Sequence, residues 1–198
     1  MPDIDVKAIK KDLSKILDEK RYEHTIGVAH TAAALAMCYG EDVNKAYLAG
    51  LLHDCAKCYD EKKRNILCKK YNVSLTKFEE ENPFLIHAKL GAAIAKEKYK
   101  IIDDSILSAI RYHTTGNENM TVFEKIIFSA DYIEAGRKKI EGLDAIRSII
   151  FQDLDEAVYL ILNGTVAHLE DKEQCIDPSS LEAFQYYKEI HFSKEKSI

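Results

Sequence analysis

The chain has 198 residues, 46% hydrophobic and 31% charged, which is enough length and apolar content for one sizeable core and excludes a largely disordered chain. No apolar run is long enough to cross a bilayer, and the opening stretch MPDIDVKAIKKDLSK lacks the hydrophobic core of a secretory signal. A formal net charge of −5 argues against bulk affinity for nucleic acid or an anionic membrane, so we expect a cytoplasmic protein with a small-molecule partner and a homodimer as the default assembly.

Helical periodicity recurs along the chain, sustained strand-type alternation is hard to find, and there are three prolines, so the expected class is all-α. A first amphipathic helix is predicted over 3–18, with Ile4, Ala8, Leu13, Ile16 and Leu17 on or near one stripe. A second runs from about Tyr22 to Tyr39 and stops at Gly40. Asp42 opens a third, VNKAYLAGLLHDCAK, apolar enough to lie at the centre of the domain and ending at His53–Asp54. A charged stretch around 60–71, a solvated turn at Glu79–Glu80–Glu81 and a loop at Asn82–Pro83 follow. The next helix begins near His87 and turns Leu90, Ala93 and Ile94 inward.

Asp103 or Asp104 starts a helix that ends at His113, and the loop TTGNENM leads to Thr121, whose spacing to Glu124 is that of a capping box for VFEKIIFSADYIEAG. Beyond Gly142 one long helix is expected over roughly 144–170, then a last one started by Asp177–Pro178. The chain reads as a single domain over 1–198, with its chemistry in a core of about 20–137 and C-terminal helices, about 144–191, packed on it.

Imidazole and carboxylate are common ligands of divalent transition metals, and four of the seven histidines fall at helix beginnings or ends, where they could converge. Adjacent helical side chains diverge by about 100°, so His53 and Asp54 serve one site only if they straddle it. Lys57, three residues past Asp54, shares its face. Composition and spacing alone support hydrolysis of a phosphoester or phosphoanhydride and no finer reading.

The order His24, His53–Asp54, Asp131 resembles the H…HD…D signature of the HD-domain metal phosphohydrolases. The phrases RYEH (21–24), HDCAK (53–57), HAKLGA (87–92), HTTG (113–116) and ADYIEAGR (130–137) resemble, more narrowly, the YqeK family of bacterial symmetrical diadenosine tetraphosphate hydrolases. Ala135 departs from that pattern, which has proline after the glutamate. The resemblance implies an HD-domain helical bundle in which His24, His53, Asp54 and Asp131 hold one metal ion, with Asp54 bridging to a second held by His87 and His113. The pair would be iron, although the ligand types suit manganese, zinc, nickel or cobalt equally. It further implies that a metal-bridging hydroxide cleaves the tetraphosphate between its central phosphates, with Asp54 and Lys57 in the catalytic set. Arg21, Lys57, Thr114, Thr115, Gly116, Glu134 and Arg137 are the candidates for binding the substrate. Competing readings are another HD substrate (a mononucleotide, a deoxynucleoside triphosphate or an NAD-related metabolite), a di-iron oxygenase, and a non-catalytic nucleotide sensor.

Other residues read as structural. Five cysteines are an odd number for a disulfide framework, and Cys55 and Cys58, despite their C-x-x-C spacing, read as small apolar residues at a helix end. His30 is turned away from His24, while His168 and His191 stand without evident polar company. Tyr22, Tyr112 and Tyr132 adjoin ligand candidates but read as packing residues.

Overall fold

A computed structural model describes residues 4–137 and 140–195, and among these there is no strand. The helices are α1 (Val6–Ile16), α2 (Glu19–Tyr39), α3 (Val43–Leu52), α4 (Glu61–Lys70), α5 (Lys77–Glu81), α6 (Ile86–Glu97), α7 (Asp104–Tyr112), α8 (Val122–Ile133), α9 (Leu143–Ile149), α10 (Leu154–Asp171) and α11 (Pro178–Glu195). None of the described helices is long and apolar enough to cross a membrane. Asp5, Asp18, Asp42, Asp60, Thr76, Asp103, Thr121 and Asp153 each accept a hydrogen bond from a backbone N–H in the first turn of the helix that follows. Part of the chain's acidic excess therefore starts helices, and the capping box of Thr121 and Glu124 is formed.

The core is built on α3, where Ala46 and Leu48 through Leu52 are all buried. Val28, Ala29, Ala32 and Leu35 of α2, Ile106 and Ile110 of α7, and Ile126 and Ile127 of α8 enclose it. Each fully buried leucine or isoleucine there stabilises the fold by about 1.5–3 kcal/mol. Gly50 lets α3 lie directly on α2: a Cβ there would come within 2.8 Å of Ala29 Cα. The C-terminal pair α10 and α11 covers the loop after His113. Tyr187 of α11 accepts a hydrogen bond from Met120 N (3.0 Å). Gly116, at φ +67°, fits against Ala183, Phe128 and Leu162.

Several expectations need correcting. The single helix over 144–170 is two, because Gln152 N and Asp153 N both close on Ile149 O and Asp153 then caps α10 through Glu156 N. Tyr39 and Cys38, at the end of α2, donate to the carbonyls of Ile150 and Phe151 in that break. The charged 60–71 stretch is the helix α4, started by Asp60. Glu79 belongs to no solvated turn: it is buried in α5, completes a capping box with Thr76, and pairs with Lys89 at 2.6 Å.

In α1, Ile9 occupies the inward position and Ala8 is exposed; in α6, Leu90 and Ile94 are buried and Ala93 only half so. His191 has polar company after all, 2.7 Å from Glu156. The cysteines are free, with Cys55 buried against Gly91 O and Cys58 exposed beside Asp18. His30 is exposed, edge-on to Tyr47.

Candidate metal centre

Five helix ends meet at one place. His24 lies in the second turn of α2, His53 caps α3 and is followed by Asp54, His87 opens α6, His113 caps α7, and Asp131 lies in the last turn of α8. Their rings form a chain, with centroids 5.5 Å apart from His24 to His53, 4.9 Å from His53 to His113 and 5.1 Å from His113 to His87. All six residues called from the sequence are brought together.

What each imidazole can do is fixed by its far nitrogen. His53 Nδ1 lies 2.7 Å from Gly50 O, His87 Nδ1 2.6 Å from Phe84 O, and His113 Nδ1 2.7 Å from Ile110 O. His24 Nδ1 lies 3.1 Å from Glu134 Oε1. Carbonyl and carboxylate oxygens only accept, so all four Nδ1 atoms carry a proton, which leaves all four Nε2 atoms the ones able to present a lone pair to a metal ion. The three carbonyls each lie three residues back along the chain, so the local helical geometry at those positions sets the tautomer.

The lone pairs face other lone pairs. His24 Nε2 is 2.9 Å from Asp131 Oδ1; His53 Nε2 is 3.5 Å from Asp54 Oδ2 and 3.9 Å from Asp131 Oδ1. His87 Nε2 and His113 Nε2 are 3.3 and 3.5 Å from Asp54 Oδ1 and 3.2 Å from one another. His24 Nε2, His53 Nε2 and Asp54 Oδ1 are buried with no hydrogen-bond donor. Acceptors this close need a proton or a metal ion between them, and a divalent ion can serve several of these contacts at once. Ligand atoms about 2.1 Å from one ion stand about 3 Å apart when adjacent, which these separations approach. Two donor groups, His24–His53–Asp131 and His53–Asp54–His113, each have their ligand atoms within 4.8 Å of one another. The donor set fits a pair of divalent ions.

With no ion between them, the same contacts favour a protonated His53 beside ionised Asp54 and Asp131. Burial would push the carboxyl of Asp54 up, but His53 and His113 outweigh it and hold it well below the ordinary carboxylate range. Asp131 is likewise lowered against burial by His24, His53 and His113. His53, despite a burial that favours the neutral ring, is raised by Asp54 and Asp131. His87 is pushed down to about 3 by burial, helped by His113 and Lys57.

The substrate candidates divide. Arg21 Nη1 pairs with Asp54 Oδ2 at 2.8 Å, and Arg137 Nη2 lies 3.8 Å from Asp131 Oδ1. Lys57 Nζ is 3.0 Å from His87 Nε2, its pKa lowered by burial and by the charges of Arg21 and Arg137. Thr114 Oγ1 lies 3.1 and 3.0 Å from the Nε2 atoms of His87 and His113, and Thr115 lines the adjoining cavity. Gly116 cannot offer its N–H to an anion, since it already donates to Tyr112 O at 2.9 Å.

Glu134 is buried, and both its oxygens are engaged within the protein: Oε1 with His24 Nδ1 and Oε2 with Gly136 N at 2.6 Å. That second bond holds the turn before Arg137 without the proline absent at Ala135. Arg147 of α9, a residue that sequence reasoning missed, fixes the same turn by donating to Ile133 O and Glu134 O. Glu134 thus positions His24. Glu134→Gln offers one acceptor where two donors need one each, so metal affinity is expected to fall about 10–100-fold, as for loss of an outer partner of a metal-bound histidine. A calorimetric metal titration measures it.

An all-helical bundle that gathers H…HD…D donors at one cavity defines the HD class of metal-dependent hydrolases. The sequence profile of the HD domain matches residues 21–136. Among relatives, the symmetrical bis(5'-nucleosyl)-tetraphosphatase of Staphylococcus aureus (strain NCTC 8325) is 38% identical over 188 residues, covering 93% of this chain and 95% of that protein. That of Halalkalibacterium halodurans is 41% identical over 169 residues, 85% and 89% of the two chains. A crystal structure from Clostridium acetobutylicum, described as a predicted HD superfamily hydrolase involved in NAD metabolism, superposes with a TM-score of 0.89 at 38% identity over 93% of this chain and 97% of that one. The chain belongs to the HD domain family and, within it, to the family of the symmetrical bis(5'-nucleosyl)-tetraphosphatases. Membership implies divalent metal binding, which the two donor groups fit.

Proposed function

We propose that the chain is a dinuclear-metal hydrolase that cleaves diadenosine tetraphosphate, or a related dinucleoside polyphosphate, between its central phosphates to give nucleoside diphosphates. The observation that carries this reading is the common state of the four imidazoles: every Nδ1 is committed to a protein acceptor, and the Nε2 lone pairs converge on the carboxylates of Asp54 and Asp131. The names of the relatives support the choice of substrate.

In this reading His24, His53, Asp54 and Asp131 would hold one ion and His87 and His113 the other, with Asp54 shared between them. When bound, a divalent pair supplies Lewis acidity to the phosphoryl group and makes water a nucleophile near neutral pH. Iron is the ion we favour, from the family resemblance; the donor types suit manganese or zinc as well.

The chain's own residues do the rest. Arg21 and Arg137, each about one-third exposed beside a ligand carboxylate, can bind the phosphate oxygens that are not under attack. Lys57, lining the same cavity as Asp54 and His113, adds an ammonium that can pair with a phosphate oxygen. Thr114 can donate its single hydroxyl proton beside the imidazoles of His87 and His113. The adjoining cavity, of about 290 Å³, brings Phe128, Tyr132, Ile161 and Leu162 to within reach of a base. The C-terminal helices are part of the same domain in this view, because α10 supplies that wall.

Chromatography of the products tests the reading. Incubating the metal-loaded protein with diadenosine tetraphosphate is expected to give ADP alone. ATP and AMP in equal amounts, or an intact substrate beside hydrolysis of an NAD-related nucleotide, would refute it.

A further inference from the structure

A substrate made of two nucleosides joined by phosphates has two ends, and the metal centre has a cavity on each side. The cavity of about 290 Å³ borders Asp54, His113 and Asp131, and besides its apolar wall it carries the hydroxyls of Thr165 and Ser180. The other, of about 480 Å³, opens on the His24 side, with Asp18, Lys20 and Ile140 at its margin. Arg21 and Arg137 line both, so positive charge runs from one to the other past the ligands.

The larger cavity has a distinct chemistry. Its carboxylates are already engaged: Asp18 caps α2 through Arg21 N (2.9 Å) and accepts from Cys58 Sγ, and Glu134 holds His24 and Gly136 N. Lys20 is exposed and the two guanidiniums are partly so, which leaves three cationic side chains within reach of a ligand while the carboxylates are turned to donors of the protein. Among the described residues lining it there is no aromatic ring, and Ile140 is the one large aliphatic side chain. Bases are held by flat apolar surfaces with polar groups at their edge, which the smaller cavity offers and the larger does not.

We propose that the larger cavity is a half-site for the departing nucleoside diphosphate, held through its phosphates by Lys20, Arg21 and Arg137 with its base unread, while the smaller cavity reads the other base. This rests on the hydrolase reading above. In the step concerned, the water oxygen bonds to one central phosphorus and the bond from that phosphorus to the bridging oxygen breaks. The bridging oxygen leaves on the half in the larger cavity, and the water's protons pass to the new terminal phosphates or to solvent. A symmetrical substrate is thereby gripped asymmetrically.

Calorimetric titration of the metal-loaded protein with ADP tests this. Two ADP sites per chain are expected, one of them about tenfold weaker in Lys20→Glu and the other unchanged. That variant keeps its fold, because Lys20 is exposed in the first turn of α2, where the helix dipole favours an acidic residue. Its KM for diadenosine tetraphosphate should rise about tenfold, the value of one charge-assisted hydrogen bond. Replacing one adenine by uracil in the substrate should leave wild-type turnover nearly unchanged, since either end can occupy the unread half. A hydrolysing wild type that binds a single ADP, or a Lys20→Glu enzyme with unaltered KM, overturns the half-site and leaves the hydrolase reading standing. A wild type that leaves diadenosine tetraphosphate intact overturns both.

Discussion

Asp54→Ala is expected to lose both metal ions together and to lower turnover by about 10³-fold or more, beyond the 10–100-fold that follows loss of an outer partner such as Glu134. The magnitude follows from its two oxygens. Oδ2 stands by His53 Nε2 at 3.5 Å and takes Arg21 at 2.8 Å, while Oδ1 stands by His87 Nε2 at 3.3 Å and His113 Nε2 at 3.5 Å. Without the side chain, the two proposed ions lose the carboxylate shared between them, and the Arg21 guanidinium loses its partner beside the imidazoles. Asp54→Asn keeps the shape and removes the charge, so it should fail nearly as badly; a mainly steric role would let it succeed. Elemental analysis of the metal-to-protein ratio, read beside ADP release, decides the point. Full loading with metal-dependent turnover in either variant would refute the role given to Asp54.

The six ligand candidates were legible because their residue types recur in order with flanking phrases, and because histidines at helix ends can converge. What the sequence could not supply was which atom faces which. Glu134 reads from its phrase as a substrate contact, yet the structure engages both its oxygens inside the protein. A signal existed: Gly27 lies three residues after His24 in mid-helix, on the same face, and a Cβ there would meet Glu134 Oε2 at 2.6 Å. A helical glycine with no capping role marks a close approach. Gly116 misled in the opposite sense, since its place after His113 suggested an anion donor while its N–H closes the end of α7. The break at 150–153 escaped because apolar residues continue on both sides of it, and the decisive element is a single capping aspartate in a stretch with no glycine or proline to mark the stop.

Gly50→Ala is expected to destabilise the protein by about 1–3 kcal/mol and to weaken metal binding with it, although the same exchange in an open helix position stabilises by about 0.5–1 kcal/mol. Two effects of opposite sign compete. Alanine favours the helical backbone, but its Cβ would stand 2.8 Å from Ala29 Cα and 3.1 Å from both Ala29 N and Val28 O, all backbone atoms that cannot rotate away. Relief requires α2 and α3 to separate, which moves His24 on one helix from His53 at the end of the other; Gly50 O is also the acceptor that orients His53. Gly164→Ala is the control, because its Cβ would meet only Tyr132 Oη at 3.7 Å, an ordinary contact. Urea unfolding should therefore shift to a lower midpoint for Gly50→Ala and a higher one for Gly164→Ala, with metal affinity reduced in the first alone. Equal shifts of the same sign would mean that helix propensity, and not the α2–α3 contact, governs both positions.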